Sequence, residues 1–517
     1  MGEYWHSAAI LALGLGILSA PGMLPAHALR VNVEADPATM DSIASSDKVA
    51  NVILKNVYEG FTEERGDGTI VPALATSWDV LSQGKAIRFH LRTGVLFHSG
   101  RAFTAKDVKY TFETLLAPES RSGVTAEYLD DVVGAADVRS GKTKELEGVR
   151  IIDDHTVEIR FTKPDVLFPI YPIQFMDSGI VAELGPDWMS KASAGTGAFK
   201  FKRWRRGEEV DLEANQSYWG GAPKIDGVRF LIVPNLDTAL SQYDAGELDV
   251  LDVQEAIFRR VLRDARYADQ IQKTPRAQSR YLGMNQNLYA PFKDIRVRQA
   301  ISLSIDRDAL IRGLYDGAAY PLNGVITPGI EGFNPDLPAL KYDPEKARKL
   351  LAQAGYPGGK GMPPIDISCT PPYKDEITYY ASQFHRVLGM HVTVNVVERT
   401  TFIREMNIGK VAFFPWGWTA GYPDALSYLL EMWYGRSPYN RSQWRNARYD
   451  AVIDEAQATV DSRQRFALYH TAEKILMDDW VTAPLPMTAI IGLRKPNVKN
   501  VRLTPFGFEP FKDVEIH

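Results

Sequence analysis

The sequence is poor in cysteine and has no excess charge of either sign. Its 517 residues include one cysteine, Cys369, which excludes an internal disulfide, a cysteine-based zinc site and an iron–sulfur cluster. The 59 Lys and Arg against 64 Asp and Glu give a net charge of −5, so we expect no nucleic acid among the partners. Hydrophobic residues make up 45%, and at roughly 100 to 200 residues per domain the length corresponds to about three domains.

Hydrophobic runs long enough to span a membrane are also missing. The apolar run at 7–18 would rise only about 18 Å as a helix, against a bilayer core of about 30 Å. Pro21 and the small residues Ala26 and Ala28 follow it, which is typical of a secretory signal cleaved after Ala28. The absence of Lys and Arg from residues 1–7 fits this interpretation less well, and a buried apolar helix is the alternative. We therefore predict a signal peptide over 1–28 and a mature chain without a lipid anchor, because no cysteine follows the run.

Motifs for catalysis and for cofactors are absent from the sequence. No serine lies in G-x-S-x-G, and the nine histidines form no H-E-x-x-H. Gly141-Lys142-Thr143 resembles the end of a phosphate loop, but Ala136 stands where such a loop needs glycine. We expect no enzyme, no cofactor and no metal, with a secreted hydrolase as a remote alternative.

The patterns along the chain predict a mixed α/β fold. Residues 86–92 and 156–161 alternate apolar and polar side chains, as half-buried strands do. A helix is predicted after Thr104, its N-cap, and another over 344–355 with Pro344 near its start. Apolar positions three and four apart predict helices over 237–244 and 296–314, and 390–398 reads as a strand.

Residues 411–424, VAFFPWGWTAGYPD, form the strongest candidate for a binding surface. Two tryptophans that flank a glycine before a turn can present flat rings and backbone amides to a ligand. Arg441 and Arg445 follow among aromatic residues, a combination that suits an anionic or planar ligand. The alternatives are that the tryptophans are core residues and that the arginines belong to a solvated loop.

Ten segments along nearly the whole mature chain are informative together: Tyr58-Glu59-Gly60, Pro72-Ala73-Leu74-Ala75 with Trp78, 91–108, Gly195-Thr196-Gly197, Asn215 with 218–223, 246–249, 294–307, 347–357, 417–429 and 447–456. In this order they resemble the family 5 extracellular solute-binding proteins, the periplasmic receptors of peptide and nickel ABC importers.

The resemblance implies a periplasmic-binding-protein-like, two-lobed α/β fold of type II, cluster C, with an extra domain in its N-terminal half. Lobe I would comprise 29–60, 181–268 and 488–517, the extra domain II 61–180, and lobe III 269–487. A hinge would close the lobes on the ligand, and the importer would read the closed form. We expect a periplasmic monomer that delivers a peptide or amino-acid-derived solute to an inner-membrane ABC permease.

The resemblance also implies the ligand-binding residues. They are Ser45, Ser46, Tyr128, Trp416, Gly417, Trp418, Thr419, Gly421, Tyr422, Asp424, Arg441 and Arg445. Peptide-binding members of the family commonly have an aspartate three residues after the tryptophan, where it pairs with the ligand ammonium, but this chain has Gly421. Asp424 either replaces that acid or is only the acid of the turn. Because of this departure, an opine-like conjugate, a sugar derivative or a nickel chelate is the alternative ligand, and a structural or chaperone-like surface protein is a further class.

Overall fold

The structure is a computed structural model, and it describes residues 27–45, 48–66, 68–120, 122, 124–185 and 192–517. The predicted signal peptide lies outside the described residues, except for its last two residues, His27 and Ala28. Within the described ranges, no helix combines the length and the apolar character that crossing a bilayer requires.

Strands and helices alternate along the chain. The strands are β1 Ala28–Val33, β2 Thr62–Glu64, β3 Ile70–Pro72, β4 Ala75–Leu81, β5 Ala86–Leu91, β6 Val149–Asp153, β7 Thr156–Arg160, β8 Phe199–Arg205, β9 Glu209–Ala214, β10 Gly227–Ile232, β11 Val250–Val253, β12 Ile271–Pro275, β13 Gln278–Met284, β14 Ala319–Tyr320, β15 Ile365–Cys369, β16 Val392–Val396, β17 Phe413–Thr419, β18 Thr482–Pro484, β19 Met487–Arg494, β20 Val498–Lys499, β21 Leu503–Thr504, β22 Gly507–Phe508 and β23 Glu515–Ile516. The α-helices are α1 Lys48–Leu54, α2 Ala105–Leu116, α3 Val124–Glu127, α4 Ala135–Arg139, α5 Ser178–Leu184, α6 Leu236–Asp244, α7 Phe258–Arg263, α8 Ile295–Leu303, α9 Arg307–Gly313, α10 Pro344–Gln353, α11 Lys374–Gln383, α12 Arg399–Asn407, α13 Leu426–Tyr428, α14 Ala447–Ala458 and α15 Ser462–Asp478.

The first sheet has the strand order β12-β19-β11-β1-β10-β9-β8 and combines distant parts of the chain. β1 is parallel to both β10 and β11, whereas β19 is antiparallel to β11 and β12. In such open sheets, ligands bind beyond the carboxyl ends of the parallel strands.

The second sheet has the order β16-β15-β17-β13-β18 and is covered on both faces. Phe413 packs with residues of α8, α10 and α11, and the next residue, Phe414, packs with residues of α12, α14 and α15. The chain passes from the first sheet to the second between β12 and β13, touches the first sheet again at the short strand β14, and returns to it between β18 and β19. The passage after β18 lies against β13, since the Leu485 N–H donates to the carbonyl of Arg280 in β13 at 2.8 Å.

A third sheet, of order β4-β5-β7-β6, contains the two strands predicted from alternation, β5 and β7. The predicted N-cap of α2 is confirmed by a capping box, in which the Thr104 N–H donates to Asp107 Oδ2 at 3.0 Å. The helix expected over 296–314 is instead divided into α8 and α9. Asp306 causes the division: its side chain accepts the Ala309 N–H at 2.9 Å and starts a new helix.

Three segments of the family resemblance meet at one carboxylate, that of Glu59. It accepts hydrogen bonds from Thr196 Oγ1 at 2.8 Å, Tyr218 Oη at 2.7 Å and Trp219 Nε1 at 2.9 Å. Gly195 allows this approach, since a Cβ there would lie 1.9 Å from the Val57 carbonyl oxygen. These hydrogen bonds therefore join parts of the chain that are more than 130 residues apart in sequence.

Candidate functional site around strand β17

The tryptophan-bearing segment is the second half of β17. Phe413 and Phe414 are fully buried, whereas Trp416 and Trp418 are half-buried. β17 pairs with β13 along its whole length but with β15 only at Phe413. From Trp416 to Thr419 the other edge therefore has no strand partner within the described part of the chain. An extended ligand could pair with the backbone at that edge.

Arg441 is a buried cation beside the first tryptophan. Its guanidinium carbon lies 4.2 Å from the Trp416 ring centroid, and the residue is 5% exposed. Nε and Nη2 donate to Asn407 Oδ1 at 3.2 and 3.1 Å, while Nη1 is buried without an acceptor. Burial lowers the pKa of Arg441, and the groups that oppose this are the phenols of Tyr281 and Tyr439 rather than a carboxylate. The N–H groups of Nη1 thus remain without an acceptor in the described part of the chain, and an anion could accept from them.

Trp418 and its neighbours form the second part of the surface. The Trp418 ring lies 4.8 Å from the ring of Tyr439. Gly417 separates the two tryptophans, and a Cβ at that position would lie 3.2 Å from the Ser279 carbonyl oxygen of β13. Thr419 is exposed at the end of the strand. The structure therefore brings Trp416, Trp418 and Arg441 together, as the sequence predicts.

Three tyrosines connect the turn after β17 to the segment 61–180. The Tyr128 ring stacks on Tyr171 at 4.8 Å, and Tyr422 lies 4.9 Å from Tyr171 and 6.1 Å from Tyr128. A Cβ on Gly421 would lie 2.4 Å from Tyr128 Oη. An aspartate at 421 would therefore displace Tyr128 from its stack, which explains the glycine in physical terms.

Asp424 is closed to solvent in this conformation. It is 0% exposed, Oδ1 accepts the Leu426 N–H at 2.8 Å, and Oδ2 lies 3.9 Å from Arg465 Nε. Burial raises its pKa to about 6, while the Leu426 N–H and Arg465 oppose the shift. In this conformation Asp424 makes the contacts of a turn acid.

The remaining predicted residues lie outside these contacts. Ser45 is 9% exposed, and its hydroxyl donates to Asn51 Oδ1 at 3.0 Å ahead of α1. Ser46 lies outside the described residues. Arg445 is exposed between the buried Trp444 and the N-cap Asn446.

Sequence reasoning missed Glu431 and Tyr171. Glu431 lies in a single π-helical turn, Leu429–Trp433, and is half-buried. Burial raises the pKa of Glu431 to about 8, although the side chains of Trp418 and Ser427 oppose the shift. A lone acid within the apolar run LSYLLEMW was the signal in the sequence that could have identified it.

A large crevice of about 1100 Å³ lies elsewhere, between the β2–β3 hairpin, β12 and the C-terminal segment. Many of its charged side chains neutralise one another: Lys512 pairs with Glu63, and Arg502 lies 3.3 Å from Glu509. The Arg92 guanidinium stacks on Trp219 at 4.2 Å. None of the residues predicted to bind ligand lines this crevice.

Comparison with known protein families covers the segment that contains β17. The model of the bacterial extracellular solute-binding proteins, family 5, matches residues 69–440. The chain belongs to this family. The match includes Tyr128, the whole of β17 and the turn after it.

Individual relatives cover almost the whole chain. A probable di/tripeptide-binding protein 5 of Pseudomonas aeruginosa is 28% identical over 95% of this chain and 96% of its own length. Heme-binding protein A of Haemophilus influenzae is 27% identical over 90% of this chain and 88% of its own length. Among solved structures, the periplasmic murein tripeptide-binding protein MppA in its unliganded open form gives a TM-score of 0.83, with 24% identity over 95% of this chain and 97% of that one. The expected α/β solute-binding fold of family 5 is thus confirmed.

Proposed function

We propose that this chain is the periplasmic receptor of an ABC importer, which captures a peptide or an amino-acid-derived solute and delivers it to an inner-membrane permease. The ligand would bind at β17 and leave chemically unchanged. A di/tripeptide-binding relative supports the choice of ligand. A signal peptide cleaved after Ala28 and a monomeric receptor belong to the same proposal.

The observation that carries the proposal is the open edge of β17 beside a buried, incompletely paired arginine. An extended peptide offers backbone groups to the free edge, while its carboxylate suits the remaining N–H of Arg441. The half-buried rings of Trp416 and Trp418 supply apolar contact without great loss of side-chain entropy. Arg441 is therefore a better candidate for the anion contact than the exposed Arg445.

We also propose the lobe division of the family for this chain: 29–60, 181–268 and 488–517 as lobe I, 61–180 as domain II, and 269–487 as lobe III. The adjacent passages between the two large sheets would serve as the hinge. β12 and β14 depart from these boundaries: residues 271–275 and 319–320 lie within 269–487 but pair with β19 of the first sheet, so these two strands would belong with lobe I.

A non-peptide anion is the second candidate ligand. Two observations favour it: Arg441 has an unused donor, and Tyr128 occupies the space beside Gly421 where many peptide-binding members have an aspartate. The heme-binding relative is an example of a family member with a non-peptide ligand in its name.

A thermal-shift screen separates the candidates. Tri-alanine, octopine, maltotriose and a nickel–histidine chelate are added singly to the purified chain, and the melting temperature is measured. A ligand at 100 times its Kd stabilises the folded state by about 2.7 kcal/mol. We expect the largest shift with tri-alanine; a shift with octopine alone would favour the second candidate, and silence across the panel would contradict the receptor proposal.

A further inference from the structure

Glu431 is the ionisable side chain of an otherwise apolar turn, Leu429–Trp433. Its neighbours Leu429, Met432 and Trp433 are at most 1% exposed, and its own side chain is half-buried in the same π-helical turn. A buried carboxylate normally has a cation or several N–H donors as partners, because its desolvation costs several kcal/mol otherwise.

The surroundings of Glu431 supply rings and hydroxyls but no cation. Trp418 and Ser427 lie beside its carboxyl, the other charge nearby is the carboxylate of Glu127, and no cationic side chain of the described residues forms an ion pair with it. Burial raises the pKa of each surrounding tyrosine, and the charge of Glu431 adds to the shift in all five: Tyr128, Tyr171, Tyr422, Tyr428 and Tyr439. A carboxylate among aromatic faces suits an organic cation, which gains both an ion pair and cation–π contacts.

Glu431 also lies next to the position where the acid is missing. The Gly421 N–H donates to Ser427 Oγ at 2.9 Å, and Ser427 in turn lies beside the Glu431 carboxyl. Ser427 and Glu431 are four residues apart, about one helical turn, so their side chains face the same way. Ser427 thus links the backbone of position 421 to the helical segment that carries Glu431.

We propose that Glu431 binds the ammonium group of the ligand and so replaces the acid that is absent at Gly421. The proposal rests on the proposed function, and it specifies the ligand as one that carries a cationic amine. Together with Arg441 it describes a site for a zwitterion: an acid without a cation, and an arginine that lacks an anion and whose guanidinium lies 5.8 Å from the Tyr439 ring that packs on Trp418.

The first test compares tri-alanine with N-acetyl-tri-alanine by isothermal titration calorimetry. For the wild-type chain we expect the acetylated peptide to bind roughly 10- to 100-fold more weakly, since it lacks the charged donor. Glu431→Gln should lose this preference and bind both peptides with similar affinity. Glu127→Gln removes an exposed charge close by and should keep the preference.

The outcomes distinguish the two proposals. Equal binding of both peptides by the wild-type chain, or an unchanged preference in Glu431→Gln, would overturn the role of Glu431 alone. If the wild-type chain binds neither peptide, the peptide proposal fails, and the role of Glu431 as an ammonium site fails with it.

The second test needs no ligand and measures the melting temperature of both variants between pH 5 and pH 9. Because the pKa of Glu431 is raised to about 8 in the folded chain, against about 4.3 in an unfolded one, ionisation destabilises the fold increasingly between these values. The groups that face it are Glu127, Ser427, Trp418 and the five tyrosines. We expect Glu431→Gln to gain in melting temperature over the wild type as the pH rises, and Glu127→Gln to gain far less. A constant difference would show that the carboxylate has a partner within the chain.

Discussion

Two carboxylates in aromatic surroundings, Glu59 and Glu431, differ in what the chain provides for them. Glu59 accepts three hydrogen bonds, from Thr196, Tyr218 and Trp219. Glu431 has Trp418 and Ser427 beside it and no cation. The first carboxylate is saturated by its own chain and fixes the fold, whereas the second retains bonding capacity for a molecule from outside. The contrast shows that a carboxylate inside a recognisable segment can be fully engaged in holding the fold, as Glu59 is, so resemblance alone does not mark a residue as one that contacts ligand.

The largest expected effect is that of removing the Glu59 carboxylate. Glu59→Ala leaves three donors without an acceptor, and we expect a loss of about 3 kcal/mol in the free energy of unfolding, measured by urea denaturation. Glu431→Ala is the matched variant and should cost far less or nothing at neutral pH. Equal losses in both variants would remove the distinction between the two carboxylates.

The next effect concerns ligand affinity. Trp418→Ala should weaken the binding of tri-alanine by about 2 kcal/mol, because a ring in a desolvated site is lost. Trp418→Phe keeps a ring and should retain most of the affinity in the same calorimetric titration. Wild-type affinity in a folded Trp418→Ala chain would refute the placement of the ligand at β17.

Gly421→Asp tests the contact with Tyr128. We expect the substitution to lower the free energy of unfolding by about 1 to 3 kcal/mol, as overpacking does. In the double variant with Tyr128→Ala, the loss from Gly421→Asp should shrink, and the coupling energy from this double-mutant cycle measures the clash. Additive losses would mean that the two side chains do not compete for space.

The smallest expected effects on ligand affinity concern the two arginines, Arg441 and Arg445. Arg441→Met should weaken tri-alanine binding about tenfold, which corresponds to loss of a charged hydrogen bond of roughly 1.4 kcal/mol. Arg445→Ala should change the affinity for tri-alanine less than about twofold, because exposed charges contribute little.

The dependence of affinity on salt separates the same two arginines. Since Arg441 is 5% exposed, wild-type affinity should vary little with ionic strength. A steep salt dependence that disappears in Arg445→Ala would assign the anion contact to the exposed arginine instead.

Much of the fold could be predicted from the sequence, because periodic patterns are local. β5, β7, α2 and α10 follow from alternation, an N-cap and a proline near the helix start. The division at Asp306 was harder to foresee, since apolar spacing continues through it and only a side-chain cap interrupts the helix.

The candidate site was predictable only in part. Trp416, Trp418 and Arg441 are close in sequence and have unusual composition, so their association could be expected. The clash between Gly421 and Tyr128, and the burial of Asp424 against Arg465, depend on residues 41 to 293 positions apart. No local pattern contains such information, and the same holds for the tyrosines around Glu431.

Hydrogen–deuterium exchange with and without tri-alanine locates the ligand on the chain, because it reports every region in one measurement. If the ligand binds at β17, added tri-alanine slows exchange over 413–445 and 124–131 and leaves 195–219, around the Glu59 carboxylate, unchanged. Protection confined to residues of the crevice between the β2–β3 hairpin and β12 would contradict binding at β17.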